Sequence, residues 1–209
     1  MIKYFITFCF IINSFIIFSQ NLYSDKTIKE IRNYYNQITS ELIKVNPEVF
    51  TFSETIGYID KNGDTTLYEG EGDSGDQKIS IYKINNRIVR IVDFYSGSSG
   101  SYHEGKTEYT IKNDTLIFVF VSQGEHSYDM NLGNPTKLKE ERIYYNKGKP
   151  YVHVKREFDG LAANRKSFYK QKSEIASKKH DNFYIELLQE ILTNYKSNNM
   201  SYYDNKYER

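Results

Sequence analysis

The sequence predicts an α+β fold: a single antiparallel β-meander of about seven or eight strands, with an N-terminal and a C-terminal helix packed on it. Three observations carry this expectation. Apolar residues recur at helical spacing near both ends of the chain. Asn-centred turn signals punctuate the stretch between them, and each is flanked by short runs rich in Ile, Val, Phe and Tyr.

At the start, Met1-Ile2-Lys3 precedes an apolar run from Tyr4 to Phe18 and then Ser19-Gln20. One positive charge, a short greasy stretch and a small residue are the three parts of a secretory signal peptide. The run falls short of the ~20 apolar residues a membrane-spanning helix needs, and Asn13-Ser14 interrupts it. Residues 1–19 are therefore expected to be removed after Ser19, with Ser24 as the alternative site, leaving no stable membrane anchor. The mature protein is expected in the periplasm or outside the cell.

Ile28, Ile31, Tyr35, Ile38 and Leu42 then recur at intervals of three and four, one face of a helix that Ser24 or Asp25 can cap. Asn46-Pro47 ends it, because the residue before a proline is pushed out of helical geometry. From 49 to 158 the turns fall at Asn62-Gly63, Asn85-Asn86, Asn113-Asp114 and Asn146-Lys147-Gly148. They predict four hairpins: Thr51–Ile59 with Thr65–Glu69, Lys78–Ile84 with Arg87–Tyr95, Lys106–Lys112 with Thr115–Ser122, and Glu140–Tyr145 with Tyr151–Phe158. Leu116–Val121 is apolar on both faces, as an interior strand would be. Residues 96–101 and 123–137 are expected loops. The segments Tyr82–Ile88 and Tyr109–Leu116 match with one inserted residue, and 143–154 echoes them, which reads as a repeated hairpin. Tyr184, Leu187, Leu188, Ile191, Leu192 and Tyr195 form the final helical stripe, with Asp181 as its cap. One domain is thus expected over 20–196, followed by a polar, disordered tail from 197 to 209.

The hairpin Tyr109–Phe120, followed by Glu140-Glu-Arg142-Ile-Tyr144-Tyr145 and a terminal helix, resembles a loose set of uncharacterised exported proteins of Bacteroidota-like Gram-negative bacteria. The resemblance spans roughly residues 24–196 and rests on strand-and-turn patterns. It implies an exported α+β domain and brings no activity, cofactor or catalytic residue with it. Such chains often carry a Trp in the final strand, and Tyr151–Arg156 has none.

Loss of residues 1–19 removes Lys3 and no acid, so the mature chain holds 27 bases against 27 acids. That balance argues against a general nucleic-acid binder. The one cysteine, Cys9, leaves with the leader, so neither disulfides nor thiol chemistry are available. Twenty Tyr and 13 Phe without a Trp suit half-buried strands that pack below and stay wet above.

The motifs that bear on chemistry are few. Asp60, Asn62, Asp64 and Glu71 occupy positions 1, 3, 5 and 12 of a calcium loop. Thr65 stands where the loop needs Gly, and the flanks read as strands, so a hairpin tip is the preferred reading. Residues 60–76 are acidic and 147–179 basic, as solvated loops often are. His103, His126, His153 and His180 lack zinc spacing, and no phosphate-loop, dinucleotide or nucleophile-elbow motif occurs, so no cofactor is expected.

Two functions remain in view. The favoured one is a non-catalytic exported binding or interaction module, its partner an unknown protein or small ligand, with Tyr82, Tyr95, Tyr102, Tyr109 and Tyr144 displayed on an open sheet face. The alternative is an extracytoplasmic hydrolase with a histidine–carboxylate site of His103, Glu104, Glu125 and His126 in the 96–105 and 123–137 segments.

Overall fold

A computed structural model describes residues 25–55, 58–59, 65–66, 74–98, 102–126, 137–159, 174–175 and 182–200. At 54–55, 58–59, 65–66, 74, 98, 126, 158–159 and 174–175 only the backbone is described. The leader (1–19), the calcium-like loop from Asp60 to Asp64 and at Glu71, and His180 lie outside the described residues. The chain divides into two compact units, one ending at Ile43 and one beginning at Lys44.

The first unit contributes helix α1, Lys26–Leu42. Asp25 is its cap, the carboxylate accepting a 3.1 Å hydrogen bond from the Ile28 amide. Its buried residues are Ile28, Ile31, Ile38 and Leu42, four of the five expected from the spacing. No described helix is long and apolar enough to cross a membrane.

The second unit holds β1 (Glu48–Thr55), β2 (Tyr58–Ile59), β3 (Thr65–Thr66), β4 (Ser74–Ile84), β5 (Arg87–Ser98), β6 (Tyr102–Lys112), β7 (Thr115–His126), β8 (Lys137–Asn146), β9 (Lys149–Asp159), β10 (Glu174–Ile175) and helix α2 (Phe183–Lys196). One antiparallel sheet runs in the order β1-β4-β5-β6-β7-β8-β9-β10, seven long strands and the two-residue β10. Together with the helices this is the α+β meander that the sequence predicts. Strand β7, apolar on both faces, lies in the interior of the sheet.

Three of the four expected hairpins form, each through a turn with two positive φ angles: Asn85-Asn86, Asn113-Asp114 and Lys147-Gly148. Those angles define the turn whose twist matches that of the flanking strands, and Asn and Gly adopt them at least cost. Each hairpin also carries a bulge close to its turn, at Tyr82/Lys83, Thr110/Ile111 and Tyr144/Tyr145. The repeat seen in the sequence is therefore a repeated bulged hairpin.

The first expected hairpin is a correction. β1 pairs with β4 (Phe50 opposite Ile79, Phe52 opposite Gln77), while β2 and β3 form a small sheet of their own. Pairing with β4 places Phe50 and Phe52 against the core cluster. The strands also run further than expected: β5 to Ser98, β6 from Tyr102 and β7 to His126, so the first half of the predicted 96–101 loop and the start of the 123–137 loop are strand.

Cross-strand register sorts one face of the sheet into rows. The row Ile81-Ile91-Tyr109-Val119-Ile143 is wholly buried, and α2 delivers Tyr184, Leu187, Leu188 and Ile191 into the same core cluster. Asn182 begins α2 without a side-chain cap, in place of the expected Asp181. At its other end the Tyr195 hydroxyl donates to the Glu48 carboxylate, which also accepts from Lys83 Nζ at 2.7 Å. The Tyr195 ring meets Phe50 edge-on, with centroids 6.0 Å apart. Met200, in the expected tail, packs against this core.

Candidate functional site

Moving along the strands away from the turns, this face changes chemistry row by row. Next to the apolar row comes Ile79-Asp93-Thr107-Val121-Glu141-Lys155, then Gln77-Tyr95-Gly105-Gln123-Lys139-Glu157, then Gly97-His103-Glu125-Lys137. Side chains two residues apart on a strand share a face, so these rows form one continuous polar field beside the core under α2.

The mixed row buries the carboxylates of Asp93 and Glu141 and hydrogen-bonds each, as burial demands. Gln77 Nε2 donates to Asp93 Oδ1 at 2.9 Å, both side chains being buried. Glu141 is held from two sides: Lys139 Nζ is 2.6 Å from Oε1, and His153 Nε2 is 2.6 Å from Oε2. Burial alone would push the Glu141 carboxyl up, but the hydrogen bonds from His153 and Lys139 outweigh it and hold the group down at about 2. An ionised carboxylate only accepts, so His153 Nε2 carries the proton in this bond.

The next row is built around Tyr95. Its ring lies across Gly105 on the neighbouring strand, where a Cβ would overlap the ring. Glycine inside a strand marks such close approaches. Gln123, one strand further, donates from Nε2 to the Tyr95 hydroxyl at 2.9 Å. Gly105→Ala is expected to swing the ring off the strand and break this bond, at a cost of about 1 kcal/mol. Near-ultraviolet circular dichroism for the ring and urea unfolding for the stability check it; an unchanged ring signal would contradict the placement.

Tyr95, His103, Gln123, Glu125, Lys137 and Lys139 line a cavity of about 250 Å³. Most of its lining charges stand in ion pairs: Lys137 Nζ lies 3.0 Å from Glu125 Oε2, Lys139 holds the neighbouring Glu141, and Glu157 lies 3.5 Å from Lys155, while Glu104 is a further acid of the lining. A second cavity, about 420 Å³, opens on the opposite face over Phe94, Phe120 and Leu138. There Lys106 Nζ and Arg142 Cζ stand 5.6 and 5.8 Å from the Phe120 ring centre. Those cations are also paired, Lys106 with Glu108 at 2.6 Å and Arg142 with Glu140 at 2.9 Å.

The five tyrosines expected together on an open face are divided between the two faces by strand alternation. Tyr109 is wholly buried between Ile91 and Val119 in the core, and Tyr144 is buried against Phe118 with ring centroids 5.0 Å apart. Both are core residues, a correction to the expected display. Tyr82 and Tyr95 are half-buried, and Tyr102 is exposed. Of the histidine–carboxylate set, His103 and Glu125 are direct cross-strand partners on the cavity, with Glu104 also at its wall. His126 pairs in backbone register with Tyr102, and its side chain lies outside the described residues. Among the described residues no three His, Cys, Asp or Glu side chains are grouped to hold a metal ion.

Gly105, Gln123, Lys139, Glu141 and His153 are members of the site that no sequence motif singles out. The one available signal was Gly105 itself, an isolated glycine inside a strand pattern. No protein-family model matches the chain, no curated protein matches it, and no solved structure matches it.

Proposed function

We propose that the protein is an exported, non-catalytic binding module whose ligand seat is the polar end of the α2-covered sheet face, centred on Tyr95. The observation that carries this reading is the cavity itself, in which a tethered aromatic ring and hydrogen-bonding side chains face a space where Glu125, Lys137, Lys139 and Glu157 already stand in ion pairs. A general acid–base pair needs groups with pKa values near the working pH. Glu141, beside the cavity, is held at about 2 by His153 and Lys139 and is far from that range. Preorganised, satisfied polar groups of this kind fit recognition.

A second reading is favoured by one observation, the direct pairing of His103 and Glu125 on the cavity wall. It makes the protein a hydrolase. Chromogenic esters, glycosides and phosphate monoesters discriminate the two: the binding reading expects no turnover above background, whereas turnover lost in His103→Ala would establish the hydrolase.

Export belongs to the same proposal and rests on residues 1–19; kinship with the exported Bacteroidota-like set belongs to it too and rests on the strand-and-turn patterns of residues 24–196. Nucleic acid is not the expected partner. Expressed with its leader in a Gram-negative host, the protein is expected to be recovered with Gln20 first. Intact-mass measurement checks this; a full-length cytoplasmic chain starting at Met1 would refute it.

A further inference from the structure

The chemistry of the cavity also restricts what it can hold. Three acids at or beside its lining have a cation within ion-pair distance, Glu125 with Lys137 at 3.0 Å, Glu141 with Lys139 at 2.6 Å and Glu157 with Lys155 at 3.5 Å, and Glu104 adds a further carboxylate at the wall. An anionic or cationic ligand would compete with these partly exposed pairs for a partner, which leaves it little net gain. A purely apolar ligand would strand the carboxylates, ammonium groups and Gln123 without water. A hydroxyl group suits the same surface, because it donates and accepts at once. Set beside a carboxylate–ammonium pair, it gives a hydrogen bond to the acid and takes one from the ammonium without separating them.

The ring of Tyr95 adds a second constraint. It lies across Gly105, where no side chain interrupts the strand, and Gln123 fixes its hydroxyl. A fixed aromatic face is negatively polarised and accepts the electropositive C–H groups of a saturated ring. The cavity volume of about 250 Å³ is that of a ring-sized ligand, below the ~300–1,000 Å³ of drug-sized sites. Its row of hydrogen-bonding side chains continues over five strands, Tyr95-Gly105-Gln123-Lys139-Glu157. With strands about 4.8 Å apart, that is a span of roughly 19 Å, longer than one sugar ring.

Resting on the binding reading above, we propose that this row is a seat for a neutral oligosaccharide, one sugar ring stacked on Tyr95 and its neighbours hydrogen-bonded along Gln123 and the Lys139 side. The test is a printed array of neutral glycans, acidic glycans and short peptides, probed with the mature wild-type chain, Tyr95→Phe, Tyr95→Ala and His103→Ala. Circular dichroism and thermal unfolding report whether each variant folds. Neutral glycans are expected to bind, with Tyr95→Phe retaining the ring and most of the signal and Tyr95→Ala weakening it about tenfold. If Tyr95→Ala does not fold, loss of neutral-glycan signal in folded His103→Ala supports the seat in its place. Capture of acidic glycans or peptides alone, sensitive to these substitutions, would overturn the saccharide assignment while leaving the seat in place. Absence of any capture sensitive to them would overturn both the assignment and the seat.

Discussion

Replacing Glu141 with Ala is expected to lower stability at neutral pH by about 3 kcal/mol, near the lower end for breaking a buried ion pair. The substitution leaves His153 buried without its acceptor, while Lys139, 40% exposed at its side chain, regains water. The same carboxylate sets an acid dependence. Its folded pKa of about 2 lies below the ordinary 4.5, so between these values the unfolded chain binds more protons than the folded one. Stability from this group is therefore fully present above about pH 5 and is lost as pH falls towards 2, a total of the order of 3 kcal/mol. Urea unfolding across that range checks it: the wild type loses stability on acidification more steeply than Glu141→Gln. Parallel curves for the two chains would contradict the buried network.

Ile191→Ala is expected to cost about 3 kcal/mol, which for a domain of this size lowers the melting temperature by roughly 10 °C. Ile191 is wholly buried in the cluster that α2 shares with the sheet, so truncation leaves a cavity at the helix–sheet contact. Gln189→Ala, on the exposed side of the same helix, serves as the control and should change stability by no more than about 0.5 kcal/mol. Equal effects from the two substitutions would mean that α2 is not seated as described.

The helices and three hairpins were legible in the sequence because their signals are local. Spacing of Ile28, Ile31, Ile38 and Leu42, and of Tyr184 to Ile191, set the buried stripes, and the Asn-Asn, Asn-Asp and Lys-Gly pairs set the turns. The partner of β1 was not legible, because β1 pairs with β4 across an intervening small hairpin and no turn residue encodes a non-local contact. The site was hidden for a different reason. Counting outward from the Asn113-Asp114 turn without a bulge sets His103 opposite Gly124. The bulge at Thr110/Ile111 shifts the register by one and brings His103 to Glu125. A one-residue shift changes which side chains share a face. The same shift at Tyr144/Tyr145 sets which residue of β9 faces each of β8, and so brings His153 to Glu141. Composition could show that tyrosines abound but not which would be buried: Tyr109 and Tyr95 share one face, and their positions along the strands put Tyr109 under α2 with the core and left Tyr95 at the polar end.

Native mass spectrometry of the mature chain, incubated with a mixture of neutral oligosaccharides and short peptides, tests the central claim most directly. It reports in one spectrum whether a molecule is held and whether it is changed. The account predicts an intact ligand mass on the wild type that Tyr95→Ala loses, with no shortened products in solution. Cleaved products that disappear in His103→Ala would contradict it and make the cavity an active site.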